Sequence, residues 1–112
     1  MSRDWRLYLD DIASSCEKIG QFIEGLTFDA FIADEKTRAA VEWHLFVTGE
    51  AAKHLPESER QLYPNVEWRK IAGLRDVLAH GYFAIDDEIL WDVVTNKVPV
   101  LLAEIGRGPS PR

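Results

Sequence analysis

From Trp5 onward the apolar positions fall at Trp5, Leu9, Ile12, Cys16, Ile19, Ile23 and Leu26, with spacings that alternate between four and three. Such a period winds one apolar stripe along a helix. It predicts a first helix over residues 3–24, stopped at Gly25, a residue free to take the left-handed conformation that ends helices. Thr27 to Ala33 contains Phe28, Phe31 and Ile32, which predict a short helical turn plugging the end of the core. Asp34 then offers a side-chain oxygen to cap a second long helix over 35–54. In that helix Val41, Leu45 and Ala52 share one side, while Trp43, Phe46 and Val47 spread around the others. A helix this apolar on a small protein is either central or lies at a subunit contact. Gly49 inside it costs about 1 kcal/mol relative to Ala, so a close backbone approach by a neighbouring helix is the expected compensation.

The stretch from Pro56 to Pro64 is polar and proline-bounded, hence a connector with room for one helical turn. A third helix is expected over 66–80, with Trp68, Ile71, Leu74, Val77 and Leu78 facing inward. Asp86, Asp87 and Glu88 place negative charge at the start of a fourth, where the helix dipole favours it. That helix carries Ile89, Leu90, Val93, Val94, Val98, Leu101, Leu102 and Ile105. Pro99 falls inside it and removes a backbone hydrogen bond, at about 3 kcal/mol in a regular helix, which predicts a kink or break between Thr95 and Pro99. With no convincing strand and no internal repeat, the fold class is all-α: an up-and-down four-helix bundle with short connecting helical turns. Residues 1–105 form the single domain in this reading, and 106–112 a flexible tail with nothing to bury.

The third helix ends in the one place where polar chemistry interrupts the apolar pattern, Leu74-Arg75-Asp76-Val77-Leu78-Ala79-His80-Gly81-Tyr82. On an unbroken helix Arg75 and Tyr82 share a face, while His80 lies about 140° away from Arg75. Gly81 offers a way out if the helix ends near His80 with Gly81 at positive φ. His80 would then sit among the unpaired carbonyls of the last turn and Tyr82 on the turn that follows.

The pattern Arg, four residues, His, one residue, Tyr resembles the signature of the HepT family, toxins within the HEPN superfamily of small helical proteins. Flanking features extend the resemblance over nearly the whole chain: Tyr8-Leu9-Asp10-Asp11-Ile12, Gly49-Glu50-Ala51-Ala52, Pro64 with Trp68 to Leu74, then Trp91 and Pro99. An Arg and a His five apart is a weak signal alone, and the ordered set is far more specific. The resemblance implies metal-independent cleavage of RNA, with Arg75 and His80 as catalytic residues. Cleavage needs a base for a ribose 2′-hydroxyl, an acid for the leaving oxygen and a cation for the phosphate. An imidazole suits the first two roles and a guanidinium the third. One chain supplies only one such pair, so a homodimer that lines a cleft with two pairs becomes part of the mechanism. Asp76 occupies the position next to the arginine and would support Arg75 or His80. Tyr82 matches the tyrosine to which a nucleotidyltransferase antitoxin of the MntA kind attaches AMP. The alternative function is a non-catalytic HEPN module in which the same basic cleft binds a nucleotide or docks a nucleotidyltransferase. Taken by spacing alone, Arg75 could also merely pair with a carboxylate such as Asp76 or Asp86 and His80 cap a helix end.

Composition narrows this further. Thirteen basic against nineteen acidic residues give a net charge of −6, which opposes nonspecific wrapping of nucleic acid, so any RNA contact must be local. The single cysteine, Cys16, fits a core position and excludes an intrachain disulfide or a multi-cysteine zinc site. His44 and His54 are ten apart without a ligand partner at metal spacing, and no metal is expected. The four tryptophans Trp5, Trp43, Trp68 and Trp91 fall one per helix and read as core anchors or interface residues. No glycine-rich phosphate loop is present, so no cofactor is expected. The sequence has neither the apolar segment of a signal peptide nor a membrane span, which predicts a cytoplasmic protein without membrane contact.

Overall fold

The computed structural model describes residues 4–80, 85–106 and 108. Helix α1 covers Trp5–Ile23, started by Asp4, whose side chain accepts from the Arg6 N–H at 2.9 Å. It stops before Gly25, which takes a φ of +75°. Thr27 caps α2 (Phe28–Ala33), and Asp34 caps α3 (Glu35–His54) by accepting from the Thr37 N–H at 3.1 Å. The turn α4 (Glu57–Arg60) interrupts the connector. Helix α5 then covers Trp68–His80, and the Trp68 indole donates back to the carbonyls of Arg60 and Tyr63, which ties the connector to its start. Among the described residues there is no strand.

Antiparallel packing follows from which residues meet. Tyr8 stacks on His54, while Ser15 bonds to His44, half the length of α3 further back. Arg75 meets Glu50, while Leu78 and Ala79 lie beside Ala39 and Trp43. Helix α3 is therefore central, flanked by α1 on one side and α5 on the other. The core gathers the predicted stripe, with Ile12, Cys16, Ile19, Val41, Leu45 and Ala52 all buried. Burial also pushes the Cys16 thiol up to about 12, so it stays a neutral packing group.

Two expectations change. Val77 is 43% exposed, because α5 packs mainly against α3 and Val77 lies at the outer edge of its apolar stripe. The kink or break expected between Thr95 and Pro99 takes the form of an interruption within a helix that continues. Helix α6 (Asp87–Asp92) leads through a widened π turn, Val93–Lys97, into α7 (Val98–Gly106). There the Val98 N–H reaches the Val93 carbonyl, five residues back, and the chain passes the proline while staying helical. The fourth helix rod extends to Gly106, the first residue of the expected tail, most of which lies outside the described residues.

Candidate functional site

Arg75 projects from α5 onto one face of α3. Gly49 makes that approach possible: a Cβ there would stand 2.6 Å from the Arg75 Cβ and 2.9 Å from the Ile71 carbonyl oxygen. The close backbone approach expected at Gly49 is thus made by α5, through the Ile71 carbonyl, the Arg75 nitrogen and the first carbon of the arginine's side chain. Beside it, Arg75 Nε donates to Glu50 Oε2 at 2.5 Å, and the guanidinium carbon lies 5.4 Å from the Phe46 ring centre. Arg75 Nη1 donates to Asp76 Oδ1 at 3.3 Å, and Lys53 Nζ donates to the same oxygen at 2.9 Å. The second oxygen of Glu50 faces His54 Nε2 at 3.1 Å. Lys53, Asp76, Arg75, Glu50 and His54 so form a chain of groups in which each carboxylate stands between two bases.

The electrostatics follow from these contacts. The hydrogen bond from Arg75, then that from His54, holds the Glu50 carboxyl below the usual carboxylate range despite some desolvation. Lys53, with Arg75 second, does the same for Asp76. Glu50 in turn fixes Arg75 in its charged form. A guanidinium beside a shallow apolar groove can receive a phosphate. Such a groove, about 320 Å³, adjoins it and is lined by Ala39, Glu42, Trp43, Phe46, Leu78 and Ala79. Trp43 stacks on Phe46 yet remains 58% exposed.

Of the residues picked from sequence, Arg75 and Asp76 meet in this network. His80 does not join them within one chain. Arg75 and His80 stand on one continuous helix, so five steps carry His80 about 140° around the axis, to the exposed side near Asp76. Ending the helix at His80 does not bring the pair together, because both residues are still inside it. Gly81 and Tyr82 lie outside the described residues. Asp86, offered from sequence as a partner for Arg75, instead caps α6 by accepting from the N–H groups of Glu88 and Ile89. Sequence reasoning assigned Glu50, Lys53 and His54 no role, and it found no acidic partner for His54 although Glu50 stands one turn before it. The available signal was Gly49-Glu50, a costly glycine followed by a charge inside an apolar helix.

The family model described as Ribonuclease HepT-like matches residues 12–107. The chain belongs to the HepT-like ribonuclease family. The matched span contains the whole α3–α5 network, and the HepT resemblance drawn from Arg75, His80 and Tyr82 agrees with it. Among similar proteins, one of Methanocaldococcus jannaschii named "Putative RNase" is 48% identical over 103 residues, 92% of this chain and 85% of that one. The "Probable ribonuclease HepT" of Thermococcus cleftensis is 40% identical over 90% of this chain and 92% of its own length. A "Putative RNase" of Caldanaerobacter subterraneus is 34% identical over 89% of each. No solved structure matches the chain. Among the described residues of this HepT-like protein, no helix is long and apolar enough to cross a membrane.

Proposed function

We infer that this HepT-like protein is a ribonuclease toxin that cleaves RNA without a metal, using Arg75 and His80 in the cleft of a homodimer. The observation that carries the reading is the family match across residues 12–107 together with a guanidinium poised on the flank of an apolar groove. In the reaction one imidazole takes the proton of a ribose 2′-hydroxyl, whose oxygen attacks the adjacent phosphorus. The bond to the 5′-oxygen breaks, and a second, protonated imidazole supplies that oxygen with its proton. Arg75 neutralises charge gathering on the phosphate. The divergence of Arg75 and His80 on α5 supports the dimer requirement, since a second copy can set its His80 opposite this copy's Arg75. The exposed Trp43 and Val77 flank the face such a copy would cover.

A nucleotidyltransferase antitoxin is the expected partner, silencing the toxin by attaching AMP to Tyr82. One observation favours a second reading, a non-catalytic module: Arg75 is already compensated by Glu50 and Asp76. Cleavage separates the two. Purified wild type should cut RNA in the presence of a chelator, and His80→Ala and Arg75→Ala should each abolish cutting and growth inhibition while leaving the assembly intact. A wild type that cuts no RNA under any metal condition leaves the binding module as the answer.

A further inference from the structure

Glu50 does not pair with Arg75 as a purely structural carboxylate would. The strongest such pairing sets both carboxylate oxygens against two parallel N–H groups of the guanidinium. Here one oxygen takes Nε at 2.5 Å and the other turns to His54 Nε2 at 3.1 Å. Asp76 takes one hydrogen of Nη1 and is itself held by Lys53. Of the five N–H donors of the guanidinium, two are thus used among the described residues. The remainder, on Nη2 and the other side of Nη1, form the edge able to grip two phosphate oxygens. Phe46 beneath the guanidinium carbon and Gly49 beside the stem restrict what else the side chain can do.

We propose that Glu50 is a positioning residue for RNA cleavage: from α3 it holds the Nε side of Arg75, so that the Nη edge is presented to the scissile phosphate. The inference rests on the ribonuclease reading for the identity of the anion. Glu50 acts only through Arg75, since a carboxylate turned toward a phosphate would repel it. His54 has the complementary part, occupying the oxygen that would otherwise claim Nη2.

The test uses the full chain with Glu50→Gln, which keeps the shape and loses the charge, and Glu50→Ala. For cleavage of a short RNA, Glu50→Gln should lower kcat tenfold or more with KM within threefold of wild type. In parallel, the Arg75 Nε–H proton resonance, assigned by its disappearance in Arg75→Lys, should move to the free-arginine position in Glu50→Ala and part of the way in Glu50→Gln, whose amide oxygen accepts more weakly, while backbone amides away from the network stay in place. An unmoved resonance, or wild-type kcat in Glu50→Gln, overturns the proposal. Should wild type cut no RNA, the ribonuclease reading falls by itself, and the resonance alone then decides whether Glu50 sets the orientation of Arg75.

Discussion

Gly49 and Arg75 are in such close register that a single added methyl group on the glycine would stand 2.6 Å from the arginine Cβ. No rotamer change relieves that contact, because a Cβ is fixed by its backbone and the next nearest atoms are the Ile71 carbonyl oxygen and the Arg75 nitrogen. Helices α3 and α5 would have to move apart.

Gly49→Ala should therefore destabilise the fold by about 1–3 kcal/mol, the usual range for overpacking, even though alanine improves helix propensity by about 1 kcal/mol. Urea denaturation measures the balance. A variant as stable as wild type, or more so, would show that the α3–α5 contact is soft.

A dimer should be present at micromolar concentration, seated on the face that carries Trp43. Sedimentation of the wild type checks this, and Trp43→Glu should yield a monomer with unchanged helix content, since Trp43 is outside the core. A wild type that sediments only as monomer removes the shared cleft, and with it the proposed route by which two His80 side chains act together.

The sequence could announce what is local and not what depends on register between distant helices. Helix α3 runs over residues 35–54 as expected because its cap, Asp34, is one residue away and its period is long. Gly49 announced a close neighbour by its cost, but not that the neighbour would be the arginine's stem. Glu50 and Arg75 are twenty-five residues apart, and their meeting depends on how α5 slides along α3. Asp86 stands at the start of its helix as the sequence placed it, and capping two adjacent N–H groups there outcompetes the distant ion pair with Arg75 that the sequence also offered. Val77 has the right period for the core, but a helix packed mainly on one neighbour buries a narrower stripe than its sequence offers. Pro99 announced an interruption, and its form, a π turn at Val93–Lys97, keeps the helix running.

Stability should fall with pH in two stages. His44 is half-buried, bonded to Ser15 at 3.1 Å with the Phe22 ring beside it, and burial, aided by Lys18, lowers its pKa from the ordinary 6.5. Its folded pKa lies below the unfolded one, so the unfolded chain takes up the proton first. The contribution is complete above 6.5 and is lost as pH falls below it. Glu50, held below its ordinary 4.5 chiefly by Arg75, adds a contribution that is lost only as pH falls under that value. The urea midpoint at fixed protein concentration should show both stages, and His44→Gln should flatten the upper one. A midpoint constant from pH 7 to 5 in the wild type would contradict the assignment to His44.

The proposed silencing through Tyr82 leads to the sharpest substitution. AMP transfer joins the phenolic oxygen to the α-phosphorus of ATP, releases pyrophosphate and passes the phenolic proton to a base or to water. On the proposed reading, the product would place a phosphodiester and its negative charge two residues beyond His80, beside the proposed cleavage site, so repulsion and bulk would both oppose an RNA substrate. A phenol, with a pKa of roughly 10, is a poor acid or base at neutral pH, and the acceptor role is the one that the HepT resemblance implies for Tyr82. Tyr82→Phe removes one oxygen. The variant should keep most of its RNA cleavage, stay unmodified when incubated with the nucleotidyltransferase and ATP, and remain toxic when the two proteins are expressed together. Intact-mass measurement reads the modification and growth reads the toxicity. If Tyr82→Phe still gains the mass of AMP on the same segment, or is still neutralised through AMP transfer, the acceptor is another residue and Tyr82 leaves the site.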